Sequence, residues 1–155
     1  MDILHVRTLY PRTHLMHIKC VYILSHEWWA RHALSRDRQD IDKSIVHCTE
    51  AILLPPVSLA DHSGNIVRLL FNLAKILLER SKEFDQPEDV KFHIEYLCYL
   101  LGLALDSFAI PRSNLTTSLI QGLGLQVVKL EAGDATQNIK EMLSLCRELL
   151  TSGNM

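Results

Sequence analysis

The residues of this chain with the means to do chemistry are scattered histidines, cysteines and carboxylates. His14-x-x-His17-x-x-Cys20 has metal-ligand types at helical spacing. A zinc site takes three or four protein ligands, and no fourth candidate is evident, so the segment reads as metal-free. His26-Glu27 opens as the zinc-protease motif HExxH does, but Ala30 stands where the second histidine belongs. The next histidine is His32, which cannot share a zinc with His26 one turn away, so that chemistry is excluded. Asp61-His62-Ser63 sets the three residue types of a hydrolase triad side by side. Triads are assembled across a fold and adjacent side chains point apart, so Asp61 or Ser63 reads as a helix cap. His47 and His93 fall within helical stretches and read as structural. No pair of carboxylates sits in an apolar setting, and no GxxxxGK[ST] phosphate loop is present. The expectation is a non-enzyme with no catalytic residue, metal or cofactor.

These residues must be positioned by helices. The 155 residues suit one domain with a real core, 48% hydrophobic and 22% charged. Formal net charge is −2, which points to neither nucleic acid nor an anionic membrane. No apolar run approaches the roughly 20 residues of a membrane span. Cys20, Cys48, Cys98 and Cys146 are spread singly, and no secretory signal opens the chain. They read as reduced core thiols without disulfides, in an intracellular, cytoplasmic protein.

Residues 1–22 carry Arg7, Arg12 and Lys19 against Asp2 and match nothing downstream. Pro11 and the scarcity of serine argue against a transit peptide, and an irregular segment is expected. Helices are expected over 23–36, 40–54, 65–81, 89–105, 113–131 and 136–150, with a tail at 152–155 after a domain spanning 23–151. In the second, Ile41, Ile45, Cys48 and Ile52 step by helical intervals, Asp40 is placed as a cap, and Pro55-Pro56 forbids continuation. The third is nearly all apolar outside one stripe, Asn65, Arg68, Asn72, Lys75 and Glu79. A helix apolar on most of its circumference must be covered on most sides, and the core is expected to centre on Leu70, Leu73, Ala74 and Leu77. Asp85 with Glu88, and Asp134 with Gln137, are placed as capping boxes. Gly122 and Gly124 interrupt the fifth helix. The sixth sets Ile139, Met142, Leu143, Cys146 and Leu149 on one side, as an end-capping helix would.

The pattern repeats. With Asp40, Asp89 and Asp134 superimposed, Ile45, Ile94 and Ile139 coincide, as do Ile52, Leu101 and Cys146. The preceding helices carry large–small pairs at Trp29-Ala30, Leu73-Ala74 and Leu123-Gly124; Trp28-Trp29 is read as packing into the first repeat rather than as a binding hot spot. Ser44-Ile45-x-x-Cys48-x-x-Ala51-Ile52-x-x-x-Pro56 resembles the second helix of a tetratricopeptide repeat. The wording around it is similar to divergent fungal repeats found beside caspase-like CHAT protease domains or nucleotide-binding modules. The match departs in spacing: Ala30, Ala74 and Gly124 lie 44 and 50 residues apart, against roughly 34 in that family.

The resemblance implies an all-α fold, three antiparallel helix pairs stacked as a short TPR-like right-handed solenoid. It implies a protein-interaction scaffold whose concave groove holds a peptide or partner domain. The other implied role is the regulatory repeat portion of a CHAT protease or signalling ATPase lacking its catalytic domain. The groove positions implied are Glu27, Arg31, Arg68, Phe71, Lys75, Gln121 and Lys129. Their cations suit an acidic peptide or a free C-terminal carboxylate.

Overall fold

The structure, a computed structural model, describes residues 15–53, 59–103, 110–129 and 135–152. These form six α-helices, with no strand among the described residues: α1 (Leu15–Ser35), α2 (Arg38–Leu53), α3 (Leu59–Phe84), α4 (Pro87–Gly102), α5 (Arg112–Lys129) and α6 (Ala135–Ser152). The fold is all-α, built from sequential helix pairs. The chain divides into two compact units, Met1–Ile76 and Leu77–Met155, and α3 runs through the division.

In the first unit α1 and α2 pack antiparallel. Two serines join them across the contact. Ser25 Oγ donates to the Ser44 carbonyl at 2.9 Å, and Ser44 Oγ donates back to the Ser25 carbonyl at 2.7 Å. Small side chains allow the backbones near enough for both bonds, which satisfy two buried hydroxyls. Ala30, the small residue singled out from sequence, is exposed. The helix also reaches back to Leu15, so 15–22 is helical where an irregular segment is predicted. Ile18, Cys20 and Val21 are buried there, and their burial holds the extra turns. Residues 1–14 lie outside the described residues.

The α3 segment 66–76 completes this unit. Val67, Leu69, Leu73, Ala74 and Ile76 are buried, while Leu70 is only half-buried, so the core is broader than predicted. Cys48 Sγ donates to the Leu69 carbonyl at 3.4 Å. Burial pushes the Cys48 thiol up to about 11 from 9.0, opposed in part by its hydrogen bond with Ser25. As pH rises through 9 the unfolded thiol ionises while the folded one keeps its proton. The unfolded state then binds fewer protons, so stability falls between pH 9 and about 11. The loss is at most about 3 kcal/mol. Urea titrations at rising pH should show the wild type losing more stability over this window than Cys48→Ala. Equal losses would mean the Cys48 thiol is not protected.

In the second unit α4 packs antiparallel on α5, and α5 on α6. Leu97, Leu100, Leu115, Leu119 and Leu123 are fully buried. Pro111 opens α5, its carbonyl accepting from Asn114 N at 2.9 Å. Gly122 and Gly124 do not interrupt α5, which is continuous from Arg112 to Lys129. Gly122 instead makes room for a neighbour: a Cβ there would overlap His93 Cδ2 and lie 2.8 Å from its Nε2. His93 is fully buried and its Nε2 donates to the Ser118 carbonyl at 2.9 Å. In α6 the predicted apolar face is left partly uncovered, with Ile139 and Leu143 exposed and Met142 and Cys146 half-buried.

The turns that join α1 to α2 and α3 to α4 are built alike. Arg36 (φ 56°) and Asp85 (φ 51°) take the left-handed conformation that ends α1 and α3. Each is followed by one residue before the next helix starts at Arg38 or Pro87. The caps differ from those predicted. Asp37, not Asp40, caps α2, its Oδ1 accepting from Gln39 N at 2.9 Å. Gln86 occupies the α4 cap without a side-chain bond to the helix start, so Asp85 and Glu88 form no capping box there. Asp134 lies outside the described residues. Asp40 and Asp89 are buried in the first turns of their helices, and an arginine nine residues earlier meets each. Arg31 Nε is 3.2 Å from Asp40 Oδ2, and Arg80 Nε donates to Asp89 Oδ2 at 2.6 Å.

Candidate partner-binding face

In the first unit α1 and α3 run side by side in the same direction, since Tyr22 meets Asn72 and Trp29 meets Lys75. Tyr22, His26 and Trp29 share one side of α1, and Arg68, Phe71, Asn72 and Lys75 share one side of α3. Asn72 Nδ2 donates to the Tyr22 hydroxyl at 3.4 Å. The Lys75 ammonium lies 4.8 Å from the Phe71 ring centroid and 5.3 Å from that of Trp29. Both distances are within cation–π range. The His26 imidazole meets Trp29 edge-on, with centroids 6.3 Å apart. Trp29, Phe71 and Lys75 are half-buried, and Arg68 is exposed. Burial lowers the Lys75 pKa from its ordinary value. The result is a half-buried cation between two aromatic faces, with a second cation seven residues earlier on the same stripe.

The other predicted groove residues are not all gathered here. Glu27 is two residues from Trp29 and so falls on the far side of α1. Arg31 turns towards α2, where it meets Asp40 and lies 5.2 Å from the Trp28 ring centroid. Lys43 Nζ sits 4.1 Å from that same ring, so Trp28 packs between α1 and α2 rather than onto the α1/α3 face. In the second unit Gln121 is exposed on α5. Lys129 donates to Asp85 Oδ1 at 2.6 Å and to Ser81 Oγ at 3.4 Å, which ties the end of α5 to the end of α3.

The sequence constellations are dispersed as well. His14 lies outside the described residues. His17 and Cys20 are both buried on α1. His17 Nε2 faces Glu50 Oε1 at 3.8 Å, and His47 Nδ1 faces Glu50 Oε2 at 3.7 Å. Asp61, His62 and Ser63 lie within the helical span of α3, which starts at Leu59, so neither Asp61 nor Ser63 stands at its cap. The aromatic contacts of Lys75 were not legible from sequence; the only signal was an i, i+4 spacing from Phe71. No helix among the described residues is long and apolar enough to cross a membrane. No family model, curated protein or solved structure matches the chain.

Proposed function

We propose that the protein is an interaction module of TPR-like helix pairs whose α1/α3 face holds an acidic peptide segment. The observation that carries this reading is the Lys75 ammonium set between Trp29 and Phe71, with Arg68 on the same stripe. A carboxylate approaching Lys75 would meet a cation already partly withdrawn from water, where a charge-assisted hydrogen bond is stronger than at an open surface. The flanking rings and Tyr22 offer apolar area to a leucine or aromatic residue beside that carboxylate. Aromatic and cationic side chains together are the composition of binding hot spots.

Trp28 and Trp29 are the chain's two tryptophans, so Trp28→Phe leaves Trp29 as a fluorescent reporter on the face. The probe is a hexapeptide with two aspartates, a leucine and a free C-terminal carboxylate. Its addition should change Trp29 emission saturably, and added salt should weaken the binding. Arg68→Glu with Lys75→Glu should abolish the response while helicity is retained. A charge-reversed protein that stays helical and binds as tightly as its parent would overturn the assignment.

A further inference from the structure

Two exposed helix seams in the second unit carry the same seven-residue period with opposite charge. On α4, Phe92, Tyr96 and Tyr99 follow one another at spacings of four and three, with Glu88 and Glu95 along one flank. On α6, Ile139, Leu143 and Cys146 follow the same spacing, with Lys140 and Arg147 along the opposite flank. Phe92 and Tyr99 are 43% and 58% exposed, and Ile139 and Leu143 are 45% and 52% exposed, while Tyr96 and Cys146 are half-buried, so neither seam is fully covered. Phe92 and Tyr96 stack with centroids 6.3 Å apart, which stiffens the α4 seam. No ion pair holds Glu88, Glu95, Lys140 or Arg147 among the described residues. Lys91 is also exposed on α4 but sits beyond the glutamate flank.

We propose that these seams bind each other between molecules: α4 of one copy lies parallel to α6 of a second copy. In heptad terms Phe92, Tyr96 and Tyr99 occupy d, a and d, and Glu88 and Glu95 occupy g. Ile139, Leu143 and Cys146 also occupy d, a and d, and Lys140 and Arg147 occupy e. Two parallel helices in register pair each g residue with the e residue five positions on in the partner. With Phe92 level with Ile139, that rule sets Glu88 against Lys140 and Glu95 against Arg147. Both pairs come from one register. Like-with-like pairing satisfies neither. Two α4 seams would set the glutamates against His93 and Leu100, which are buried in their own unit. Two α6 seams would set Lys140 and Arg147 against Ala135 and Met142. The contact therefore joins different surfaces of two copies, a heterologous association. It is independent of the α1/α3 face.

The test is sedimentation velocity of the full chain over a concentration series reaching the millimolar range, because two heptads give a weak contact. The wild type should sediment faster as concentration rises. Glu88→Lys with Glu95→Lys should stay monomeric, and so should Lys140→Glu with Arg147→Glu. Mixed in equal amounts, the two variants regain complementary seams and should associate again. All four positions are exposed, so circular dichroism should show both variants folded; should a double variant lose helicity, Glu95→Lys mixed with Arg147→Glu makes the same comparison. A wild type that stays monomeric throughout overturns the proposal and leaves the seams to another protein. A mixture that sediments as its separate components do also overturns it.

Discussion

Arg80→Met should destabilise the protein by about 3–5 kcal/mol, the cost of orphaning a buried charge. Asp89 is 4% exposed, in the first turn of α4. Arg80 meets it with two parallel bonds, Nε to Oδ2 at 2.6 Å and Nη2 to Oδ1 at 2.8 Å. Methionine keeps most of the stem packing and removes the fork, so the loss reports the stranded carboxylate. Urea denaturation should show a lower midpoint with an unchanged slope. Adding Asp89→Asn should recover part of the loss, because the amide is cheaper to bury without its partner. If the double variant is no more stable than Arg80→Met, charge is not the cause. Arg31→Met should cost less, because Arg31 is 64% exposed and Asp40 keeps the Ser35 hydroxyl at 2.7 Å.

Gly122→Ala should cost about 2–4 kcal/mol, although alanine is the better helix former by about 1 kcal/mol. The new methyl cannot coexist with the His93 ring where it stands, and Ile94 Cγ1 closes the other side at 3.3 Å. Overpacking of this kind costs about 1–3 kcal/mol. Displacing the ring also breaks the bond from Nε2 to the Ser118 carbonyl, which adds about 1–3 kcal/mol for a buried polar group left unsatisfied. Thermal or urea melts of a double-mutant cycle with His93→Ala decide the cause. The double variant should lose less than the sum of the two single losses, since removing the ring frees the space that the methyl needs. Strict additivity would mean that Gly122 is small for some other reason.

The helical class and the six helices of the described residues were legible in the amino-acid order, because burial of one helix face imposes its own period on apolar residues. Of the three positions superimposed in sequence, two can be compared, since Asp134 lies outside the described residues. Asp40 and Asp89 mark the same place in two helix pairs, and the turns before them are built alike. Their role was not legible. An acidic residue at a helix start reads as a cap from sequence, and whether it caps or is buried depends on an arginine in the preceding helix. Arg31 and Arg80 each stand nine residues earlier, a spacing that means nothing until the left-handed turn folds one helix back on the other.

The crossing points were decided by tertiary structure alone. The sequence marked Trp29-Ala30 as the large–small pair of the first helix, yet Ala30 is exposed and Ser25 and Ser44 make the hydrogen bonds that join the two backbones. Gly122 reads as a helix breaker in the chain and is a socket for His93 in the fold. The candidate face divides in the same way. Arg68, Phe71 and Lys75 share a stripe by helical geometry, which follows from their numbers. That Trp29 lies beside Lys75, while Arg31 is drawn away to Asp40, depends on which helix packs against which. Side-chain period is a local property of the chain, whereas partnership between helices is settled only when their buried surfaces meet.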